Sequence, residues 1–191
     1  MYNIIRSISS FFMEIIETVV VVLSIFLVGY LFVAQPHQVN GLSMFPTFDN
    51  ADYVLTDKVS YKFKQPERGD VVVFKAPPEA NCPKGAGCDF IKRVLALPGE
   101  KIEVKNNTIQ VNGKAISEPY IPKENLTQSG AFLNNRSITL GPDEYFVVGD
   151  NRLHSSDSRA WGPITSKEIV GRVFFRYWPV KSIEIIKDPT Y

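Results

Sequence analysis

The chain has 191 residues, 45% of them hydrophobic and 21% charged, enough for one folded domain with a substantial core and one appended segment. Its 21 Lys and Arg nearly balance 20 Asp and Glu, giving a formal charge of +1, and basic clusters are absent, so nothing in the charge points to a nucleic acid partner. No internal repeat or low-complexity tract is present.

The first element is apolar. Thr18 to Ala34 read TVVVVLSIFLVGYLFVA, seventeen residues without a charge, and Ile15 and Ile16 extend the run around Glu17. That is long enough to span a bilayer as a helix. A cleaved signal peptide is the competing reading, but its apolar region is usually about 7 to 15 residues and ends in small residues two apart. Here bulky Phe32 stands two before Ala34. The expected division is a short cytoplasmic N-terminus over 1–14, one transmembrane anchor over 15–35, and an extracytoplasmic domain over 36–191. Arg6 and the terminal amine are the only positive charges before the span, and no Lys or Arg follows it until Lys58. This small bias sets the N-terminus inside and makes the chain a single-pass protein of the cell membrane, or of another energy-transducing membrane.

Beyond the span the helical period disappears and short β-type runs take over: Tyr53 to Val59, Val71 to Phe74, Phe90 to Leu97, Lys101 to Lys105, Thr108 to Val111, Ile138 to Leu140, Tyr145 to Val148 and Val170 to Trp178. The predicted fold class is mainly β. Asn106-Asn107 and Asn112-Gly113 lie between runs at hairpin spacing, and both residues of the second pair tolerate positive φ. From about 112 to 141 strand character weakens and Pro119, Pro122 and Gly130 appear, which reads as a small insertion between core strands. Pro77, Pro78, Pro83, Gly85 and Gly87 mark a surface loop that also carries the two cysteines, Cys82 and Cys88. In an oxidising compartment these predict a disulfide; a zinc site lacks two further ligands.

The stretch Gly41-Leu42-Ser43-Met44-Phe45-Pro46-Thr47 places one serine between glycine and proline soon after the apolar span. Ser43 is either one more loop hydroxyl or a nucleophile, and a nucleophile needs a base. His154 lies in the polar loop Gly149 to Arg159, where a Ser43, His154, Asp157 triad is conceivable. Lys92 is the other choice. Strand alternation sets it in a row with Phe90, Val94 and Ala96, with Arg93 on the opposite face. Burial among apolar side chains disfavours an ammonium and lowers its pKa toward neutrality; an edge-strand lysine that discourages aggregation has the same pattern. Asp150, Asn151 and Asp157 hint at a calcium loop, but Trp161 stands twelfth from Asp150, where a bidentate Glu is required.

Three segments agree, in order, with one family. Ser43-Met44-Phe45-Pro46-Thr47, the Lys92-Arg93 strand followed by Leu97-Pro98-Gly99, and Gly149-Asp150-Asn151-Arg152 through Ser155, Asp157, Ser158, Arg159, Trp161 and Gly162 resemble the bacterial type I signal peptidases. The resemblance includes Arg68-Gly69-Asp70-Val71-Val72-Val73-Phe74 and runs from roughly Asn40 to Trp178. It implies a mostly antiparallel β fold and a Ser/Lys dyad endopeptidase that needs no metal or other cofactor. Ser43 is then the nucleophile and Lys92 the general base, the hydroxyl of Ser155 bonds the lysine, and an Asp157–Arg159 salt bridge holds the site, with Met44, Gly149 and Asp150 inside the matching motifs. It also implies its partners, the signal peptides of secreted precursors, cut after small residues at the first and third positions before the scissile bond, and the lipid bilayer. The chain departs from some members at Gly41, where they carry a serine that donates to the oxyanion. The alternatives are a Ser/Lys protease of similar fold with another or a self substrate, and a silent membrane-tethered binding domain.

Overall fold

The structure, a computed structural model, describes residues 2–80, 88–122, 125–187, 189 and 191, with 2–10, 31 and 32 described by backbone alone. It opens with one long helix, α1 (Tyr2–Phe32). Within it Phe11–Tyr30 is long and apolar enough to cross a membrane, and none of that stretch is buried against the rest of the protein. The helix passes into the sheet with almost no linker. Val33 N donates to Gly29 O at 2.9 Å, Val33 O accepts from Lys58 N at 3.0 Å, and strand β1 (Ala34–Gln38) follows at once.

The remaining elements are β2 (Tyr53–Asp57), β3 (Val71–Lys75), β4 (Asp89–Ala96), β5 (Lys101–Lys105), β6 (Thr108–Val111), β7 (Lys114–Ala115), α2 (Gly130–Leu133), β8 (Ile138–Thr139), β9 (Glu144–Val148), α3 (Ser158–Trp161), β10 (Ile164–Thr165), β11 (Ile169–Trp178) and β12 (Glu184–Ile185), with four single-turn 3₁₀ segments among them. The larger sheet runs β1-β2-β11-β3-β4-β9-β10, with β12 added to β11; the smaller runs β7-β6-β5-β8. Every pairing is antiparallel. Local chemistry accounts for the smaller sheet's connections. Asn106 and Asn107 take φ of 52° and 58° between β5 and β6, and Asn112 and Gly113 take 52° and 77° between β6 and β7. These are the positive values that a two-residue hairpin turn needs to match strand twist. The smaller sheet begins at Lys101, so the segment expected as an insertion over 112–141 forms its later part and the chain that returns to β9.

Three apolar clusters hold the domain together. Val71, Val73 and Ile91 share one face of the larger sheet with Val39, Met44, Phe48, Val54, Val173 and Ile186. Val72, Phe74 and Val94 share the other with Tyr145, Val147 and Ile164. Leu95, Ala96, Phe146 and Val148 pack on Ile102, Ile109, Val111, Leu133 and Leu140, largely from the smaller sheet. Because β3 is covered on both faces, Val71–Phe74 reads as a continuous apolar run, and β4 does the same over Val94–Ala96, after Lys92 and Arg93. The alternation expected to align Lys92 with Phe90, Val94 and Ala96 fails at its last member: the β4–β9 register shifts between Val94 and Ala96, and the bulge turns Ala96 toward the third cluster. Cys88 is disulfide-bonded; Cys82 lies outside the described residues.

Candidate active site

The serine segment is pinned at both ends. Val39 and Met44 are buried, the latter 1% exposed, and burying a methionine side chain is worth about 1.5–3 kcal/mol. Gly41 sits at φ +93°, a left-handed value suited to glycine, and its N–H donates to Asn50 Oδ1 at 2.7 Å. From the far end of the sequence, Asn151 N donates to Ser43 O at 3.0 Å and Asn151 Nδ2 to Leu42 O at 3.1 Å. Two successive carbonyls are thereby fixed, and with them the direction of the Ser43 side chain.

Lys92 comes from the middle of β4, opposite Val72 of β3, and is 4% exposed. Its Nζ is hydrogen-bonded to Ser43 Oγ at 2.8 Å, donates to Ile91 O at 2.9 Å and lies 5.1 Å from the centre of the Phe90 ring. Burial pushes the amine down to about 8, against the opposing pull of the Asp157 and Asp150 carboxylates. At pH 7 about one molecule in ten then carries a neutral amine, against roughly one in several thousand for an ordinary lysine.

Arg93 leaves the strand on the other face. It meets Asp150 in a fork, Nε to Oδ1 at 2.9 Å and Nη2 to Oδ2 at 2.7 Å, while Thr47 Oγ1 donates to the same carboxylate at 2.5 Å and the guanidinium stacks 4.1 Å above the Tyr120 ring. Asp150 therefore ties together β4, the serine segment and the loop after β9. Asp157 caps α3. Its Oδ1 accepts from Arg159 Nε at 2.8 Å, and its Oδ2 from Arg159 Nη2 at 2.7 Å and from Gly149 N at 3.1 Å. Arg152 pairs with Glu118, bonds Thr127 at 3.0 Å and donates to Gly149 O at 3.0 Å, so the 112–141 segment braces the loop from behind. Gly149 has no space for a side chain: a Cβ there would come within 2.5 Å of Ser43 O and 2.2 Å of Ser155 Oγ.

Ser43 and Lys92 line a cleft of about 280 Å³ walled by Gln38–Met44 on one side and Asp89–Lys92 on the other, with His154 and Ser156 at its rim. One wall is a strand edge: among the described residues β9 pairs with β4 only from Arg93 onward, which leaves the backbone of residues 89–92 open on the cleft side. The other begins at Gln38, the last residue of β1, and continues as the irregular segment 39–44. His37 lies outside the cleft, in a neighbouring depression with Gln38, Asn40, Asp89 and Ile91, with Nδ1 3.0 Å from Thr56 Oγ1 and Nε2 3.9 Å from Asp89; burial lowers its pKa. Among the described residues no cluster of three His, Cys, Asp or Glu is arranged to hold a metal.

Residues 12–178 match the family described as "Signal peptidase, peptidase S26". The chain belongs to that family. It is 35% identical to signal peptidase IB of Staphylococcus aureus, with 92% of this chain and 93% of that one covered. It is 36% identical to a Synechocystis protein named "Probable signal peptidase I-2", over 82% of this chain and 69% of that one. A crystal structure of a signal peptidase I from Enterococcus faecalis shares 32% identity, with a TM-score of 0.45, over 57% of this chain and 97% of that one.

In this signal peptidase family member the residues singled out from sequence converge, with two differences. The Ser43, His154, Asp157 triad is not assembled: His154 is exposed and its ring makes no hydrogen bond among the described residues, while Asp157 is engaged by Arg159. Ser155 does not bond the lysine either. Its Oγ is buried against Gly149 without a partner among the described residues, because Lys92 Nζ is directed to Ser43 and the Ile91 carbonyl. Asn151, Thr47 and Glu118 went unassigned in the sequence, and Arg93 was given only a face. Arg93 carried a usable signal, since a guanidinium on a covered strand requires a carboxylate partner.

Proposed function

We propose that this chain is a membrane-anchored serine endopeptidase that removes N-terminal signal peptides from exported precursors, with Ser43 as nucleophile and Lys92 as general base. The observation that carries the assignment is the 2.8 Å contact between a buried lysine amine and the serine hydroxyl at the head of an open-edged cleft. In the neutral state Lys92 Nζ accepts the Ser43 proton as Oγ attacks the scissile carbonyl. The ammonium then returns a proton to the departing amine, and the amine, neutral again, activates the water that releases the acyl group. The Ser43 N–H is the assigned oxyanion donor. Asp157 and Arg159 position the loop behind the dyad, Asp150 joins that loop to Met44 and its segment, and Gly149 and Ser155 fill the space beside the serine.

The substrate enters as an extended strand between residues 38–44 and 89–92, hydrogen-bonded to the open edge of β4. In that conformation the first and third side chains before the scissile bond share the face turned to the cleft floor, the two positions at which the family accepts small residues. The apolar helix supports a single-pass placement in the plasma membrane, and the disulfide at Cys88 agrees with an extracytoplasmic, oxidising compartment.

The test is incubation of a signal-bearing precursor with the parent, Ser43→Ala, Lys92→Ala and His154→Ala. Ser43→Ala and Lys92→Ala should each abolish cleavage, and His154→Ala should retain most of it. Loss in His154→Ala with retention in Lys92→Ala would reverse the assignment.

A further inference from the structure

The end of the larger sheet nearest α1 carries a turn that the reaction does not use. Asp57 closes β2 opposite Ala34, and Lys58 N donates to Val33 O, so the chain after β2 starts within one residue of the helix end. It then folds into a stiff turn. Asp57 Oδ1 accepts from Val59 N at 2.8 Å and Ser60 N at 3.0 Å, and Phe63 N and Lys64 N both donate to Ser60 O, at 3.1 and 3.0 Å. Tyr61 points inward, its hydroxyl 2.6 Å from Asp70. The next three residues point outward: Lys62, Phe63 and Lys64 are exposed, Phe63 by 86%. Neither lysine makes an ion pair among the described residues; Asp57 is engaged by the turn's own N–H groups and Asp70 by Tyr61 and Arg172, and the exposed Glu67 three residues on pairs with neither lysine.

We infer that the Lys62-Phe63-Lys64 turn is a membrane-surface contact, in which Phe63 enters the interfacial layer and the two lysines bind anionic phospholipid headgroups. The reasons are positional and chemical. A bilayer that holds Phe11–Tyr30 ends near Val33, and the turn is tied to Val33 by a backbone hydrogen bond. An aromatic ring flanked by cations suits the boundary between acyl chains and phosphate. The turn is held by its own hydrogen bonds, so docking it orders little additional chain. A second contact beside the helix would fix the domain's rotation about the helix end and its tilt over the membrane, and with them the height of the cleft.

The inference rests on the reading of α1 as a membrane span, and the experiment separates the two. The full chain carrying Phe63→Trp is reconstituted in vesicles of phosphatidylcholine alone or with about a third phosphatidylglycerol, and quenching by brominated lipids is compared with that of the parent, which has Trp161 and Trp178. Added fluorescence should be quenched, at least about twofold more in the anionic vesicles, and Lys62→Glu with Lys64→Glu in the same background should remove the difference. No quenching of the added tryptophan in a chain that resists alkaline extraction would overturn the contact and leave the anchor intact. Quenching insensitive to lipid charge or to the two lysines would overturn the headgroup site. Extraction of the chain at alkaline pH would remove the anchor reading, and this one with it.

Discussion

Lys92 is held at 4% exposure where an ammonium is poorly solvated, and this one circumstance has two measurable effects. Cleavage of a peptide substrate should rise as pH passes through about 8 and then level off, because the neutral amine is the active form. A rate that keeps climbing to about pH 10, the ordinary lysine range, would remove the desolvated base. The same shift acts on stability. The folded value, about 8, lies below the unfolded value of 10.5, so between them the unfolded chain binds more protons and stability increases with pH. Lys92→Met should therefore be more stable than the parent at pH 7, by up to about 3 kcal/mol, and the gap should close between about pH 8 and 10.5 in urea unfolding. Gly149→Ala tests the space beside the serine. The added methyl meets the Ser43 carbonyl, so activity should fall by about 100-fold or more, as a displacement near 1 Å does, while the far-ultraviolet circular dichroism stays that of the parent. In sequence a serine between glycine and proline is ordinary turn chemistry, and a lysine in an apolar strand also suits an edge strand; three motifs in one order single out Ser43 and Lys92 together. The role of Asn151 was not legible, since its work is done through backbone carbonyls 108 and 109 residues away, as Ser43 and Leu42 show.

At the scale of elements, β4 is the member on which the site depends, because consecutive residues send a base to one face and a guanidinium to the other. The Arg93–Asp150 pair is almost fully enclosed, at 2% and 0% side-chain exposure. Asp150→Ala leaves that guanidinium uncompensated and should destabilise the domain by about 3–5 kcal/mol. Replacing both partners by apolar residues, Arg93→Met with Asp150→Leu, should recover most of the loss in the same unfolding measurement, whereas activity should stay low because Thr47 loses its anchor. Strand positions were readable from alternation and turn chemistry: β5 and β6 have the expected limits, and both asparagine turns fall at the expected hairpin positions, Asn112-Gly113 with the positive φ expected of it. β1, β7, β10 and β12 were not: β1, Ala-Gln-Pro-His-Gln, has no alternating apolar row, and the other three have two residues each. The bulge after Val94 was hidden as well, since it arises from pairing with β9 and leaves no mark in β4 itself.

For the molecule as a whole, the helix and the cleft belong to one continuous path. From Ala34 to Ser43 is nine residues, at most about 30 Å when fully extended, and the first five are already strand, so a bilayer that holds α1 would lie close to Ser43, the proposed nucleophile. A chain beginning at Val33, which keeps β1 whole, should cut short peptides with alanine at the first and third positions before the bond. It should process membrane-inserted precursors at least about tenfold more slowly than the full chain, because enzyme and substrate no longer share one surface. Equal rates on membrane-inserted precursors would reduce the helix to an address label. Sequence showed the helix and the sheet but not their direct fusion, because a strand of five residues containing Pro36 has no strong pattern of its own. The dyad also bears on how the protein is made. Its base exists only once β4 is enclosed; in a nascent or partly folded chain Lys92 is solvated and protonated at neutral pH, and Ser43 is an ordinary alcohol. On the proposed assignment, closure of the core is therefore itself the step that activates the serine.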